Sequence, residues 1–214
     1  MTSIKFASHP VITQLLCDAR HYYRVEHANQ APNTFVLLWF AAFNRGFWTL
    51  ENHRVTSFSR CSSARPGVSK RLARLIQPIG EYLVAIGAKS EFQAECHLGQ
   101  NVYLSKGGHI ICGAHEIGSG SVIHDHCTLG DAVADGKSGR PTVGRNVWIG
   151  PNCVIAGSLT IGDGATVMPD SLITFSVRPG ALVGGNPARV IADNFDNTVL
   201  RFSSTVPSCE YFNH

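Results

Sequence analysis

The sequence predicts a mainly β protein, a parallel β-helix of stacked six-residue repeats that follows an N-terminal α-helical domain. An aliphatic residue recurs every six positions through the second half of the chain, apart from one inserted residue before Ile117 and a break before Val143, and glycine often comes directly after it. The recurring residues are Leu98, Leu104, Ile110, Ile117, Ile123, Leu129, Val143, Ile149, Ile155, Ile161, Val167 and Ile173. A period of six matches neither a helix nor simple strand alternation, but it matches short strands separated by corners.

The first 90 residues have helical spacing instead. Apolar residues recur at helical intervals from Val11 to Arg24. Thr34 is a suitable N-cap for a helix from Phe35 to Leu50. A loop from Arg60 to Val68, rich in serine, proline and glycine, separates this helix from a further one expected from Lys70 to Ala85.

These patterns divide the chain into three parts. We expect a helical N-terminal domain at residues 1–92 and the β-helix at residues 93–192. Residues 193–214 form a short C-terminal tail. The hexads break between Leu129 and Val143, which predicts a loop at residues 130–142 that projects from the β-helix.

Composition excludes several classes of protein. With 15% charged and 44% hydrophobic residues, the 214-residue chain is folded, and a formal net charge of +3 is too small for a dedicated nucleic-acid binder. The longest apolar run, Phe35 to Phe43, is about half of the roughly 20 residues a membrane-spanning helix needs, so membrane contact is not expected. Seven scattered cysteines without a CxxC pair, and no secretory signal, favour the cytoplasm.

Five stretches carry a resemblance to a known family. Gly139–Gly150 (GRPTVGRNVWIG), Ile161–Gly164 (IGDG) and Val183–Ile191 (VGGNPARVI) resemble the hexapeptide-repeat acyltransferases, which fold as left-handed parallel β-helices. Phe92–His97 (FQAECH) and Leu104–Gly113 (LSKGGHIICG) add a similarity to serine acetyltransferases and polysaccharide O-acetyltransferases.

The resemblance implies an enzyme that transfers an acyl group, most simply acetyl, from coenzyme A to a hydroxyl of a small molecule or sugar. It also implies a homotrimer, with a dimer of trimers as a further assembly, and active sites between adjacent prisms. The pantetheine arm would lie along one prism corner, and no metal is expected.

Both histidines that serine acetyltransferases use are replaced in this chain. Where the family has Asp-His, this sequence has Ser105 and Lys106, and the family's second histidine, which precedes a proline, is Arg140 before Pro141. This departure argues against free serine as the acceptor. It also means that another histidine must supply the general base that acyl transfer to a hydroxyl requires.

The hexad register identifies histidines near the lost position. Three hexads make one coil, so Leu104 is expected to stack beneath Ile123. The same register pairs Ser105 with His124, Lys106 with Asp125, and His109 with Thr128. His124 then points out of a prism face. We predict that His124 or His126 is the base and Asp125 orients it, with His109 as a relocated alternative.

Other residues are candidates for binding. Lys106 or Arg140 is expected to hold an anionic or sugar-borne group, and the resemblance implies that Glu95 binds the acceptor. It implies a place for Trp148 beside the acyl donor, although a half-buried interface position is an equal alternative. The candidate coenzyme A contacts are Gly150, Asn152, Met168, Asp170 and Arg189, the last through a phosphate.

Two other classes of function remain open. The γ-carbonic anhydrases share the fold and bind zinc through three histidines, which His109, His115, His124 and His126 could supply in number. Alternatively, the lost histidines indicate a non-catalytic scaffold, because a fold does not by itself establish a function.

Overall fold

The computed structural model describes residues 11–27, 32–33, 35–37, 43–60, 78, 89–93, 95–134 and 137–202. Most of the loop predicted from Arg60 to Val68 lies outside this range. The helix predicted from Lys70 to Ala85 also lies outside it, apart from Pro78, which is helical.

Two long helices precede the β-structure. Helix α1 covers Val11–Glu26, as predicted, and helix α2 covers Arg45–Arg60. Neither is long and apolar enough to cross a lipid bilayer, and the same holds for every described helix. A third, one-turn helix, α3, covers Thr198–Arg201 near the C-terminus.

The single helix predicted from Phe35 to Leu50 is wrong. Phe35–Leu37 is helical, but Asn44 is not, and α2 begins after it. The Asn44 Oδ1 atom accepts a 3.0 Å hydrogen bond from the backbone N–H of Phe47. Asn44 is therefore the N-cap of a new helix, because its side chain satisfies a first-turn donor that has no partner within the helix.

Seventeen short strands follow among the described residues. They are β1 Glu91–Phe92, β2 His97–Leu98, β3 Tyr103–Leu104, β4 Ile111–Cys112, β5 Glu116–Ile117, β6 Val122–Ile123, β7 Thr128–Gly130, β8 Ala132–Ala134, β9 Lys137–Gly139, β10 Thr142–Val143, β11 Trp148–Ile149, β12 Val154–Ala156, β13 Thr160–Ile161, β14 Thr166–Val167, β15 Leu172–Ile173, β16 Leu182–Gly185 and β17 Ala188–Ala192.

The strands stack into three sheets. Sheet 1 has the order β1-β4-β7-β12-β15, sheet 2 has β2-β5-β10-β13, and sheet 3 has β3-β6-β11-β14-β16-β17. The chain visits the three sheets in turn and pairs parallel to the coil below, which confirms the predicted solenoid. The first coil begins at Glu91, and β17 closes the last one by pairing antiparallel with β16.

The register prediction is confirmed for Leu104, which pairs with Ile123. It fails for the next hexad. Cys112, and not Ile110, takes the strand position opposite Leu129. The corner between β3 and β4 holds six residues, 105–110, whereas the corners above it at 124–127, 150–153 and 168–171 hold four each. The enlarged corner shifts β4 by two positions, and the predicted register returns at β5, where Ile117 pairs with Leu98.

Two further segments surround the coils. The predicted projecting loop contains the antiparallel hairpin β8–β9. The C-terminal segment crosses the corner between sheets 2 and 3, where the Asn197 side-chain amide donates to the carbonyls of Asn146 and Gly164 at 2.9 and 3.1 Å. Helices α1 and α2 contact β3 of sheet 3. The outward side chains of sheet 3 are at most 3% exposed: Tyr103, Val122, Trp148, Thr166 and Leu182.

Candidate active site

The corner between sheets 3 and 1 brings four polar residues into one column. His109, His126, Asn152 and Asp170 all have a left-handed backbone, with φ between 57° and 59°. The N–H of His126 donates to the Gly108 carbonyl at 3.2 Å, and the N–H groups of Asn152 and Asp170 repeat this contact one coil higher each time. Because each residue occupies the same place in its coil, the four side chains form a continuous corner column.

His109 and His126 are in contact at the lower end of the corner column. Their rings stack with centroids 4.7 Å apart and an interplanar angle of 13°, and both residues are exposed. The predicted position of His109 near Thr128 is wrong, since Ile111 pairs with Thr128. Gly108, with φ of 78°, turns the enlarged corner so that His109 reaches His126 instead.

His124 is not on an open prism face, contrary to the prediction. It is 4% exposed, and its ring centroid lies 5.0 Å from that of Trp148. Among the described residues its Nε2 atom has no hydrogen-bond partner. Burial lowers the pKa of His124 to about 4, although the Asp125 charge acts in the opposite direction. The imidazole is therefore neutral at pH 7 and a weak base.

The burial of His124 predicts acid sensitivity. The folded-state pKa of about 4 lies below the ordinary 6.5, so the unfolded chain binds the extra proton between these values. The free energy of unfolding should therefore fall as the pH drops from 6.5 to 4, with His124 contributing on the order of 3 kcal/mol. Urea unfolding of His124→Gln should show a smaller pH dependence than the wild type. Equal pH dependence of the two proteins would contradict this.

Among the described residues, the Asp125 carboxyl lies beside Gly107, and its buried oxygen is not hydrogen-bonded to an imidazole. The carboxyl group lies so close to Gly107 that a Cβ atom on that glycine would collide with it. Its buried Oδ1 atom has no hydrogen-bond partner among the described residues. The predicted orienting role thus lacks a hydrogen bond, and the carboxylate instead lies unpaired beside the enlarged corner.

Lys106 is bound by a residue of helix α1. Its ammonium lies 3.3 Å from the Glu26 carboxylate, whose side chain is 7% exposed. Glu26 also accepts hydrogen bonds from the Asn44 amide at 2.6 Å and the Tyr103 hydroxyl at 3.2 Å. The contact between Glu26 and Lys106 could not be predicted from the sequence, because it joins residues 80 positions apart and leaves no local pattern.

Arg140 and Glu95 bind each other at the corner between sheets 1 and 2. The guanidinium donates to the Glu95 carboxylate at 2.6 Å and holds the pKa of Glu95 below its ordinary value. His97 begins β2 and His115 directly precedes β5, and their ring centroids are 5.9 Å apart. Within the described part of the chain, no three His, Cys, Asp or Glu side chains come together to hold a metal ion.

Trp148 is fully buried, at 0% exposure, rather than half-buried or lining an open site. It pairs with Val122 and Thr166 on the covered outer face of sheet 3. Both expectations for this residue assumed an uncovered face, and the complete burial of its side chain removes that condition.

The predicted coenzyme A contacts differ in whether their polar groups are already hydrogen-bonded within the β-helix. The N–H groups of Gly150 and Met168 donate to the carbonyls of the coil above, at 2.9 and 2.8 Å. The Gly150 carbonyl accepts a hydrogen bond from the Cys127 thiol, and the Met168 carbonyl accepts one from the Cys153 thiol, both at 3.1 Å. The backbone at these two positions is therefore engaged inside the β-helix.

The other predicted coenzyme contacts remain at the surface. Asn152 and Asp170 are exposed on the corner column, where the Asn152 amide donates to the Asp170 carboxylate at 3.0 Å. Arg189 is exposed on β17, and its guanidinium donates to the Ala188 carbonyl at 3.2 Å. These three side chains keep polar groups available at the surface of the β-helix.

Comparison with known proteins identifies the repeat. Residues 140–174 match the family model described as bacterial transferase hexapeptide (six repeats). These residues therefore carry the hexapeptide repeat. The matched residues cover strands β10 to β15, in which each coil carries the six-residue period found in the sequence.

The curated relatives that the chain matches are acetyltransferases. The chain is 43% identical over 60 residues to chloramphenicol acetyltransferase of Agrobacterium fabrum, a match that covers 28% of this chain and 29% of the relative. It is 28% identical over 156 residues to serine acetyltransferase 2 of Arabidopsis thaliana, covering 67% of this chain and 47% of the relative. The chain thus spans less than half the length of either relative.

Solved structures share the fold. The serine acetyltransferase of Neisseria gonorrhoeae in complex with serine superposes with a TM-score of 0.65 at 22% identity, covering 85% of this chain and 69% of that one. A serine acetyltransferase in complex with CoA gives a TM-score of 0.63 at 18% identity and the same coverage. The fold is a left-handed parallel β-helix with an N-terminal helical region, as the sequence predicted.

Proposed function

We propose that this hexapeptide-repeat protein is an acyl-CoA-dependent O-acyltransferase that acts on a hydroxyl of a small molecule or sugar. The observation that carries the proposal is the stacked His109–His126 pair on the corner column. Exposed imidazoles are suited to general base catalysis near neutral pH, whereas His124 is buried and has a pKa of about 4. The acetyltransferase relatives support the same reaction class.

His126 is the proposed base. It removes the proton from the acceptor hydroxyl, whose oxygen attacks the thioester carbonyl. The tetrahedral intermediate collapses, the bond to sulfur breaks, and the departing coenzyme A thiolate takes the proton back from the imidazolium. His109, stacked 4.7 Å away, holds the His126 ring in place on the corner.

The corner column also supports a position for coenzyme A. Its order from the upper coil downward is Asp170, Asn152, His126 and His109. A pantetheine arm that follows the column past Asn152 would bring the thioester to His126 before it reached His109. The exposed Arg189 guanidinium is suited to a coenzyme phosphate.

Calorimetry with coenzyme A and acetyl-CoA, with zinc content measured on the same sample, tests the proposal. Micromolar binding of both ligands, followed by acetylation of an acceptor in a hydroxyl-compound screen, is the expected result. Stoichiometric zinc without coenzyme A binding would overturn the proposal in favour of a hydratase. Binding of neither ligand would overturn it in favour of a scaffold.

We also propose that the protein acts as a homotrimer, with sites between adjacent prisms. The outer face of sheet 1 supports this, because it exposes an apolar strip beside the corner column. Ile111 is 51% exposed and Val154 is 39% exposed, and both pair with Thr128 between them. Burial of such a strip against a second copy would stabilise the assembly.

Ile111→Asp should therefore convert a trimer into monomers, because the carboxylate would have to be desolvated in the interface. Light scattering after size-exclusion chromatography measures the mass directly. Val199→Asp is a matched control, since Val199 is 63% exposed on α3, away from sheet 1. An unchanged trimer in Ile111→Asp, or a monomeric wild type, would refute the proposed interface.

A further inference from the structure

We infer that the acceptor carries no negative charge: it is a hydroxy compound that is neutral or bears an ammonium group. This inference rests on the proposed function. It departs from the expectation that Lys106 or Arg140 holds an anionic group, because both cations are already paired within the chain, Lys106 at the enlarged corner and Arg140 at the corner between sheets 1 and 2.

Both cations expected to bind an anionic acceptor have an internal partner. The Lys106 ammonium contacts the Glu26 carboxylate at 3.3 Å, and the Arg140 guanidinium contacts the Glu95 carboxylate at 2.6 Å. The Glu26 side chain is 7% exposed and also accepts hydrogen bonds from Asn44 and Tyr103. Such a buried carboxylate needs its counter-charge, because an unpaired buried charge is strongly unfavourable.

The groups near the corner that lack a partner are not cations. Asp125 carries a buried Oδ1 atom without a hydrogen-bond partner among the described residues, and it lies directly against Gly107 of the enlarged corner. The neighbouring His124 is 4% exposed, and its Nε2 atom is likewise unpaired. A carboxylate oxygen accepts hydrogen bonds and cannot donate them, so its complement is a hydroxyl or an ammonium group.

Among the described residues of one subunit, the charges beside His126 are therefore the Asp125 carboxylate and the Lys106–Glu26 pair, which leaves a negative balance. An acceptor carboxylate would face Asp125 without a free cation at Lys106, and like charges brought together in a partly desolvated site repel. An ammonium or hydroxyl group would instead satisfy Asp125. This arrangement selects against anionic acceptors by repulsion as well as for neutral or cationic ones by contact.

Three small hydroxy compounds that differ in charge test this. Serinol bears an ammonium group, glycerol a hydroxyl and glycerate a carboxylate on the same three-carbon chain. With acetyl-CoA saturating, we expect kcat/KM for serinol to exceed that for glycerate by at least about tenfold, with glycerol between them. Equal use of the three, or a preference for glycerate, would overturn the inference.

The Glu26→Gln variant tests whether pairing with Glu26 keeps Lys106 from binding an anionic acceptor. The amide oxygen of Gln can still accept from Asn44 and Tyr103, while the charge of Lys106 is released. The variant should raise kcat/KM for glycerate by at least about threefold relative to serinol. The double variant Glu26→Gln/Lys106→Met should cancel this gain, and a persisting gain would contradict the role of Lys106. If Glu26→Gln unfolds, Glu95→Gln releases Arg140 for the same comparison.

A second readout does not require turnover. Each compound, at equal concentration, is tested for its ability to slow the diethylpyrocarbonate modification of His109 and His126, followed by mass spectrometry. Protection in the order serinol, glycerol, glycerate without any acyl transfer would support the charge inference and overturn the proposed function. Equal protection by the three compounds, or none, would overturn the charge inference itself.

Discussion

Replacing His126 by Asn is expected to lower kcat for acyl transfer by roughly 10²–10⁴-fold, the usual contribution of a general base. Asn keeps the left-handed backbone, with φ of 59°, that this corner position requires, and the chain itself places Asn152 at the same point one coil higher. An amide has no basic nitrogen, so only the proton transfer should be lost. Steady-state kinetics with acetyl-CoA and the best acceptor measures the effect.

Matched variants separate catalysis from damage to the corner. His109→Asn should reduce kcat less than His126→Asn, since His109 is proposed to position the other ring. Asn101→Ala is the control, because Asn101 has φ of 55° at the corner between sheets 2 and 3. It should leave kcat unchanged. A His126→Asn enzyme with wild-type kcat and normal coenzyme A affinity would refute His126 as the base.

Gly46→Ala is expected to lower the free energy of unfolding by roughly 1–3 kcal/mol, as is usual when an atom is forced into a packed interface. Gly46 lies in the first turn of α2, directly over β3. A Cβ atom there would collide with the Leu104 carbonyl oxygen and lie 3.0 Å from that of Ser105. Backbone atoms cannot rotate away, so the helix itself would have to move. Thermal unfolding should show a lower Tm, by about 2–4 °C per kcal/mol.

Gly130→Ala is the matched control for this substitution. A Cβ atom on Gly130 would meet no atom within 4 Å, and the residue has no left-handed backbone. Its stability should be unchanged or slightly raised, because Ala restricts the unfolded chain. If Gly46→Ala behaved like Gly130→Ala, the docking of α2 on β3 would not have the tight geometry described here.

The β-helix could be predicted from the sequence because the repeat that specifies it is local, with one inward aliphatic residue in each hexad. Each aliphatic residue points into the prism and pairs with one a coil away, so a period of six residues is visible without knowledge of any distant contact. Leu104 and Ile123 pair as the period required. The period could not locate the extra residues in the corner at 105–110, since Ile110 is aliphatic and kept the hexad pattern although Cys112 occupies the strand.

The site was predicted only in part. The sequence identified His109, His126, Asn152 and Asp170 as candidates, but tertiary structure decided that they form one column, because their alignment depends on the length of each corner. The same holds for His124, whose outward position in the coil was predicted and whose burial was not. A repeat specifies which way a side chain leaves its strand, but not what covers it.

What the sequence determined by itself is thus the solenoid, its coil-to-coil pairing over most of its length and the residue types along one corner. Only the tertiary structure decided that Glu26 neutralises Lys106, that Glu95 neutralises Arg140, and that the outward side chains of sheet 3 are buried. The physical reason is the separation in sequence of the residues that are in contact. Stacking in a β-helix joins residues at a repeating separation, whereas the contact between Glu26 and Lys106 joins residues 80 positions apart, which no periodic pattern encodes.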